Sequence, residues 1–185
     1  MRLLGFVLIC LAACSTDGKI AQFTLVELPA GERVSIPYSS VELRSVSLPL
    51  YAEAEEIPVL VEDGSIRTTS EVLWADAPER AITTRLARNL AEATNATVAA
   101  EPWPLEGFPD ARLEVRVERL IASNAGPLTF SGTWFVAALT SRGQDTSQPF
   151  AITVPFTGEG PAARAAAQSE ATRQLALLIA RGLGR

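Results

Sequence analysis

The chain has 185 residues, and its 21 acidic side chains outnumber its 16 basic ones, which gives a formal net charge of −5. This mildly acidic balance argues against non-specific binding to nucleic acid and against a basic patch for lipid headgroups. The sequence contains no histidine, so its residues cannot form a Ser-His-Asp triad, a Cys-His pair or a zinc site built on histidine and cysteine.

The first residues are typical of a secretory signal peptide. Arg2 precedes an uncharged stretch, residues 3–13, which as a helix would cross only about half of a ~30 Å hydrocarbon core. A basic start, a short apolar core and the small residues Ala12 and Ala13 match the pattern that a membrane peptidase cuts. We therefore predict that residues 1–13 are a signal peptide.

Cys14 follows this segment directly. The stretch "LAAC", residues 11–14, resembles the bacterial lipobox, whose cysteine is converted to a diacylglyceryl thioether before the peptide is cut. Two or more acyl chains hold a protein on a membrane far more firmly than one, so Cys14 is predicted to be a lasting lipid anchor. Ser15 stands where an aspartate often marks inner-membrane retention, which favours the periplasmic face of the outer membrane. The alternatives are an ordinary signal peptide in which the cysteine is incidental and a buried N-terminal helix.

The elements predicted next are short. Residues 14–38 are poorly periodic and are expected to be the lipid anchor and a tether, with one strand at residues 22–27. A further strand is predicted over residues 41–48. Residues 58–62 and 65–68 are expected to form a β-hairpin through an Asp-Gly turn.

The first helix is predicted in the stretch "WADAPERAITTRLARNLAEAT". Asp76 is expected to cap it, and Ile82, Leu86 and Leu90 recur every four residues as one apolar stripe. The helix should end near Thr94. A short strand, "NATVAA", and a proline-rich connection, "EPWPLEGFPD", are expected to follow.

Three antiparallel strands are predicted after this connection. Apolar residues alternate with charged ones in "RLEVRVERL", as they do in a strand with one buried and one exposed face. The second strand, "LTFSGTWFVAALT", contains Gly132, which indicates a bulge or a close contact. The third, "FAITVPF", contains Pro155, which is typical of an edge strand.

A second helix is predicted over residues 161–180, with Gly182 as its C-cap. The elements together predict one α+β domain over residues 39–185, built as a mainly antiparallel sheet with two helices packed against it. No cofactor or metal site is predicted.

Several stretches resemble the auxiliary lipoproteins of ABC-type transporters, the paraquat-inducible-C family that works with mammalian-cell-entry (MCE) lipid transporters. The lead "LWA…P" into the first helix is the most distinctive of them. The similar stretches are "VSLPLY" (residues 46–51), residues 73–94, "PWP" (102–104), "LEVRVERL" (113–120), "SGTWFV" (131–136) and residues 165–180.

The resemblance implies a docking or scaffold subunit without catalytic activity. Such lipoproteins are thought to sit in the outer membrane and to work with a periplasmic MCE protein and its ABC transporter complex in lipid transport. The chain lacks a G-x-x-x-x-G-K-[ST] phosphate loop, so it could not itself be the ATPase.

Three aromatic residues are candidates for partner contact: Tyr51, Trp74 and Trp103. Rigid aromatic side chains often anchor interfaces, although each of these could equally serve the core. Two other functions stay open: a lipid-binding carrier with an apolar pocket, and a regulatory lipoprotein of another cell-envelope machine.

Overall fold

The computed structural model describes residues 20–29, 31–124, 126–141, 143–155 and 160–184. The predicted signal peptide and Cys14 lie outside the described residues, as does Phe156 at the end of the third predicted meander strand.

The described chain forms nine strands, two helices and one 3-10 turn. In chain order they are β1 (Ala21–Phe23), β2 (Ser40–Leu43), the turn (Leu50–Ala52), β3 (Val59–Leu60), β4 (Ile66–Arg67), β5 (Val72–Trp74), α1 (Pro78–Ala93), β6 (Thr97–Ala100), β7 (Ala111–Ser123), β8 (Leu128–Ala138), β9 (Thr146–Val154) and α2 (Gly160–Leu183).

The long strand β7 organises the main sheet. Along one edge it pairs with β8, and β8 pairs with β9, so the predicted antiparallel meander is confirmed. Along its other edge β7 pairs with β2 near its start and with β3 near its end, both in parallel. β6 lies parallel to the outer edge of β2, and β4 lies antiparallel to that of β3.

The prediction of an α+β domain with two helices is therefore confirmed, but the prediction of a mainly antiparallel sheet is wrong, because the sheet is mixed. The reason lies in the connection between β2 and β6. The long excursion through α1 brings the chain back in its original direction, as a helical crossover does in general. A separate parallel pair joins β1 to β5.

Both helices cover one face of the main sheet. Their small and branched side chains interlock with the inward residues of β2, β7 and β8, since alternate residues of a strand face the same side. The largest fully buried side chains are Trp134, Phe130, Leu43, Ile82, Leu86, Leu113, Leu175 and Ile179. Ile82, Leu86 and Leu90 of the predicted stripe are all buried.

Two predictions at helix ends are wrong. Asp76 does not cap α1: the N-cap is Ala77, and the Asp76 carboxylate instead accepts the Ala77 amide at 2.8 Å and pairs with Arg80 at 2.7 Å. Gly182 is not a C-cap, because α2 continues through Leu183. A Cβ at Gly182 would lie 2.7 Å from Cζ2 of Trp134, so glycine is required there by packing.

The bulge signalled by Gly132 is present. The register between β7 and β8 shifts between Val117 and Arg119, opposite Gly132 and its neighbour. A Cβ at Gly132 would collide with the Arg116 carbonyl oxygen and lie 2.9 Å from the Val117 Cα. The glycine therefore permits the two backbones to approach.

Residues 24–29 and 31–38 form an N-terminal strap that runs over the helices. Its amides donate to α2, to the last residue of α1 and to a side chain two residues beyond α1. The bonds are Val26 N to Ser169 Oγ at 2.9 Å, Val34 N to Ala93 O at 2.7 Å and Ile36 N to Asn95 Oδ1 at 2.7 Å. Three side chains of the strap are buried, namely Leu25, Ile36 and Tyr38. Residues 14–38 are expected to be a tether, but the part of them that forms the strap is hydrogen-bonded to the helices and to Asn95.

Candidate docking surface

The connection between β6 and β7, residues 101–110, is held in place at both ends. At its start the Glu101 carboxylate accepts the Ser45 amide at 2.7 Å, and at its end the Asp110 carboxylate accepts the Ser39 amide at 2.7 Å. Both contacts reach residues that flank β2. We call this segment the 101–110 loop.

Glu42 of β2 holds the loop between its two ends. Its carboxylate accepts the Trp103 amide at 3.0 Å and the Nε of Arg112 at 2.6 Å. The Glu42 side chain is 9% exposed and the Arg112 side chain 44% exposed. A shielded, charge-assisted anchor of this kind fixes loop geometry more firmly than an exposed ion pair.

The loop presents apolar side chains to solvent. Phe108 is 92% exposed and Leu105 is 54% exposed. Gly107 between them has φ +81°, a left-handed conformation that glycine adopts without strain. Leu139, which follows β8, adds a third side chain at 45% exposure, and its amide donates to the Asp110 carbonyl at 2.8 Å.

We call Leu105, Phe108 and Leu139, with the half-buried Trp103 beside them, the loop patch. Of these four residues, only Trp103 is predicted from the sequence to be a partner contact. Phe108 lies between a glycine and a proline in a connection outside the predicted strands and helices, and this position is the sequence signal that could have indicated its exposure. The indole Nε1 of Trp103 is buried and has no acceptor within the described ranges, so this ring contributes mainly apolar area.

The other two predicted contact residues lie elsewhere. Trp74 is only 7% exposed and belongs to the core. Tyr51 is half-buried, and its hydroxyl oxygen accepts the Leu120 amide at 3.1 Å near the far end of β7. The structure therefore does not bring Tyr51, Trp74 and Trp103 onto one surface.

The outer face of the sheet, opposite the helices, is charged. Glu114 pairs with Arg116 at 2.6 Å and with Arg44 at 3.7 Å, and Arg44 also reaches Glu101 at 3.6 Å. Arg116 stacks over Phe135 with its guanidinium carbon 4.9 Å from the ring centroid. This lattice of alternating charges is suited to water and to polar partners rather than to acyl chains.

The space between sheet and helices is filled with side chains. An open groove of about 620 Å³ lies between β9 and the second half of α2, on the surface of the domain. It is lined by Gln148, Gln174 and Arg181 among others. This groove is open to solvent and partly polar, unlike the enclosed apolar chamber that a lipid carrier needs.

Within the described ranges no cluster of three or more acidic or cysteine side chains could hold a metal ion. None of the described helices is long and apolar enough to cross a membrane.

The fold and its surface define a small α+β domain. Its most exposed large apolar side chain among the described residues is Phe108, on the 101–110 loop that is hydrogen-bonded at both ends. The family to which it belongs is known: the sequence profile of the ABC-type transport auxiliary lipoprotein component matches residues 23–180. The chain is a member of that family, and the resemblance found in its sequence is confirmed. It is thus an auxiliary lipoprotein of a transport system, which associates it with the cell envelope and with an ABC transporter.

Two solved structures share the fold. The crystal structure of an uncharacterized protein has a TM-score of 0.68 and 19% identity over 88% of this chain and 99% of the other. A Xanthomonas campestris protein has a TM-score of 0.64 and 18% identity over 88% of this chain and 92% of the other. A comparison with curated proteins gives no match.

Proposed function

We propose that this lipoprotein docks an MCE-type lipid transporter to the outer membrane, with the acyl chains on Cys14 as the membrane anchor and the loop patch as the partner contact. In this proposal the ATP-driven steps belong to other subunits, and the domain contributes binding and orientation. The single observation that carries the proposal is the 92% exposure of Phe108 on a loop whose Trp103 amide is held by the Glu42 carboxylate.

The positions of the 101–110 loop and of the β3–β4 hairpin at opposite ends of β7 support separate partner-binding and anchoring ends. β7 has 13 residues, which at about 3.3 Å each separate its ends by roughly 40 Å. The 101–110 loop precedes the first residue of β7. The hairpin β3–β4 pairs with the last residues of β7, and β1 enters beside this hairpin, where the Ala21 amide donates to the Glu71 carbonyl at 2.8 Å.

An anchor at Cys14 would therefore approach the domain from the hairpin end. Five residues lie between Cys14 and Ile20, and an extended chain over those six Cα–Cα steps reaches at most about 20 Å. The loop patch then faces away from the anchoring leaflet and towards the periplasm, where a partner would be met.

The size of the expected contact follows from Phe108. Burying an exposed phenylalanine side chain is worth roughly 1.5–3 kcal/mol, and every 1.4 kcal/mol changes a dissociation constant about tenfold. Replacing Phe108 should therefore weaken binding by about 10- to 100-fold. Its effect on folding should be small, because the side chain is 92% exposed.

The test measures binding of the purified lipoprotein domain to an MCE-family periplasmic protein of the same organism, by biolayer interferometry. Phe108→Ser should lose at least tenfold in affinity. Leu50→Ser is the matched control, because Leu50 is 83% exposed and lies next to Tyr51, away from the loop. Loss on Leu50→Ser with none on Phe108→Ser would move the contact to Tyr51, and no binding by the unaltered domain would count against docking.

The anchor is tested separately. Cys14→Ala should release the protein from membranes or leave it unprocessed, and mass spectrometry of the mature form should find no lipid. Unchanged outer-membrane fractionation and lipid labelling of this variant would refute the anchor while leaving the loop contact intact.

A further inference from the structure

A second cavity, of about 320 Å³, opens at the hairpin end of the domain. Its apolar lining includes Ile57, Val59 and Val72, and its polar lining includes Asn124, Arg164 and Arg67, the last of which pairs with Asp63 at 3.1 Å. Ligand sites commonly combine an apolar lining with a few polar groups, and this volume is near the lower limit for small molecules. The cavity can accept a short chain or a headgroup, but it is too small for a whole phospholipid.

Arg164, in the first turns of α2, is the unusual member of this lining. Its guanidinium makes one hydrogen bond among the described residues, from Nη2 to Asn124 Oδ1 at 3.3 Å, and its Nε is buried without an acceptor. Burial lowers the pKa of this guanidinium, and no acidic group within the described ranges counteracts that effect. Partial burial of a charged group favours an anionic partner beside it.

The other described arginines differ. Most of them form ion pairs, while Arg33 and Arg85 donate to the backbone carbonyls of Thr94 and Leu25. Arg119 has no carboxylate among the described residues within ion-pair distance, but it is exposed and so is hydrated. Among the partly buried arginines of the described ranges, Arg164 alone has neither a carboxylate nor a backbone carbonyl as hydrogen-bond acceptor.

We propose that this cavity binds a small anionic amphiphile, with a carboxylate or phosphate on Arg164 and a short apolar chain on Ile57, Val59 and Val72. The unused N–H groups of the guanidinium would form charge-assisted hydrogen bonds with the anion, which are about twice as strong as neutral ones. The apolar lining supplies the rest of the affinity through area removed from water. Both free fatty acids and phospholipid headgroups present this chemistry.

The site is independent of the docking proposal, since a soluble probe reaches the cavity with no anchor and no partner present. Calorimetric titration of the domain with octanoate tests it, with octanol as the uncharged probe of equal chain length. Octanoate should bind at least tenfold more tightly than octanol. Octyl phosphate, titrated in parallel, distinguishes the sources: tighter binding than octanoate assigns the site to phosphate headgroups, and weaker binding assigns it to fatty acids.

The variant Arg164→Gln should weaken octanoate binding at least tenfold, and Arg164→Lys should retain part of it. Arg119→Gln removes an exposed arginine elsewhere on β7 and should leave binding unchanged. Asn124→Ala, which alters the polar lining without removing the cation, provides a second measurement if Arg164→Gln fails to fold. Equal binding of octanoate and octanol, no loss on Arg164→Gln, or no binding of any probe at millimolar concentration would overturn the proposal.

Discussion

Substitution of Glu42 by glutamine should loosen the 101–110 loop and lower stability by an amount that the structure bounds. Hydrogen bonds to a shielded charged group contribute roughly 1.5–3 kcal/mol, but the Arg112 side chain is 44% exposed, so solvent screens that half of the anchor. Glutamine can still accept the Trp103 amide through its carbonyl oxygen. We therefore expect Glu42→Gln to cost about 1–2 kcal/mol, with a fall in Tm of roughly 2–8 °C for a chain of this size.

Urea unfolding gives the first measurement, and the slope m should stay unchanged. Limited proteolysis gives the second, with faster cleavage expected within the 101–110 loop. Glu114→Gln is the matched control on the same sheet face, because its partner Arg116 is 62% exposed and such pairs contribute at most about 1 kcal/mol. If Glu42→Gln cost no more than Glu114→Gln and left the cleavage rate unaltered, Glu42 would not be holding the loop.

Two further predictions concern stability. Gly132→Ala should destabilise the domain by about 2 kcal/mol or more, because the new Cβ meets the backbone of β7, which cannot shift cheaply; an unchanged Tm in calorimetry would show that the bulge can absorb a methyl group. Hydrogen bonds from Arg173 lower the pKa of Glu170 below its usual 4.5, so its stabilising effect is present above that pH and is lost as the pH falls through the lower folded-state value. The stability difference between the native chain and Glu170→Gln should accordingly shrink in urea titrations from pH 7 to pH 3, and a difference independent of pH would contradict the ion pair.

Local periodicity explains which parts of the fold could be predicted. The i, i+4 stripe on α1 and the alternation along β7 are each carried by a single stretch of sequence, and both are present in the structure. The parallel pairing of β2 with β7 joins Leu43 to Leu113, which are 70 residues apart in the sequence. A strand of four residues has too little pattern to specify its partner or its direction, so the mixed sheet was not predictable from pattern alone.

The candidate site shows the same limit. Trp103 was identified because prolines flank it, and the loop that contains it was predicted. Phe108 and Leu105 were not singled out, since exposure depends on whether another element covers the loop, and no element does. Leu139 was assigned to the end of a predicted strand, whereas its exposure arises from the turn that follows β8. Glu42 gave no sequence signal for its role, because its partners are brought to it only by the crossover through α1.

The course of β7 has a mechanical consequence. One of its edges is paired with β8 throughout, and the other is paired with β2 at one end and with β3 at the opposite end. Tension between the hairpin end and the loop end would act along the strand axis, so it would shear many interstrand bonds together instead of peeling them apart one by one. In the proposed docking role, force between the membrane anchor and the transporter would load these interstrand bonds together, and the sheet would resist unfolding.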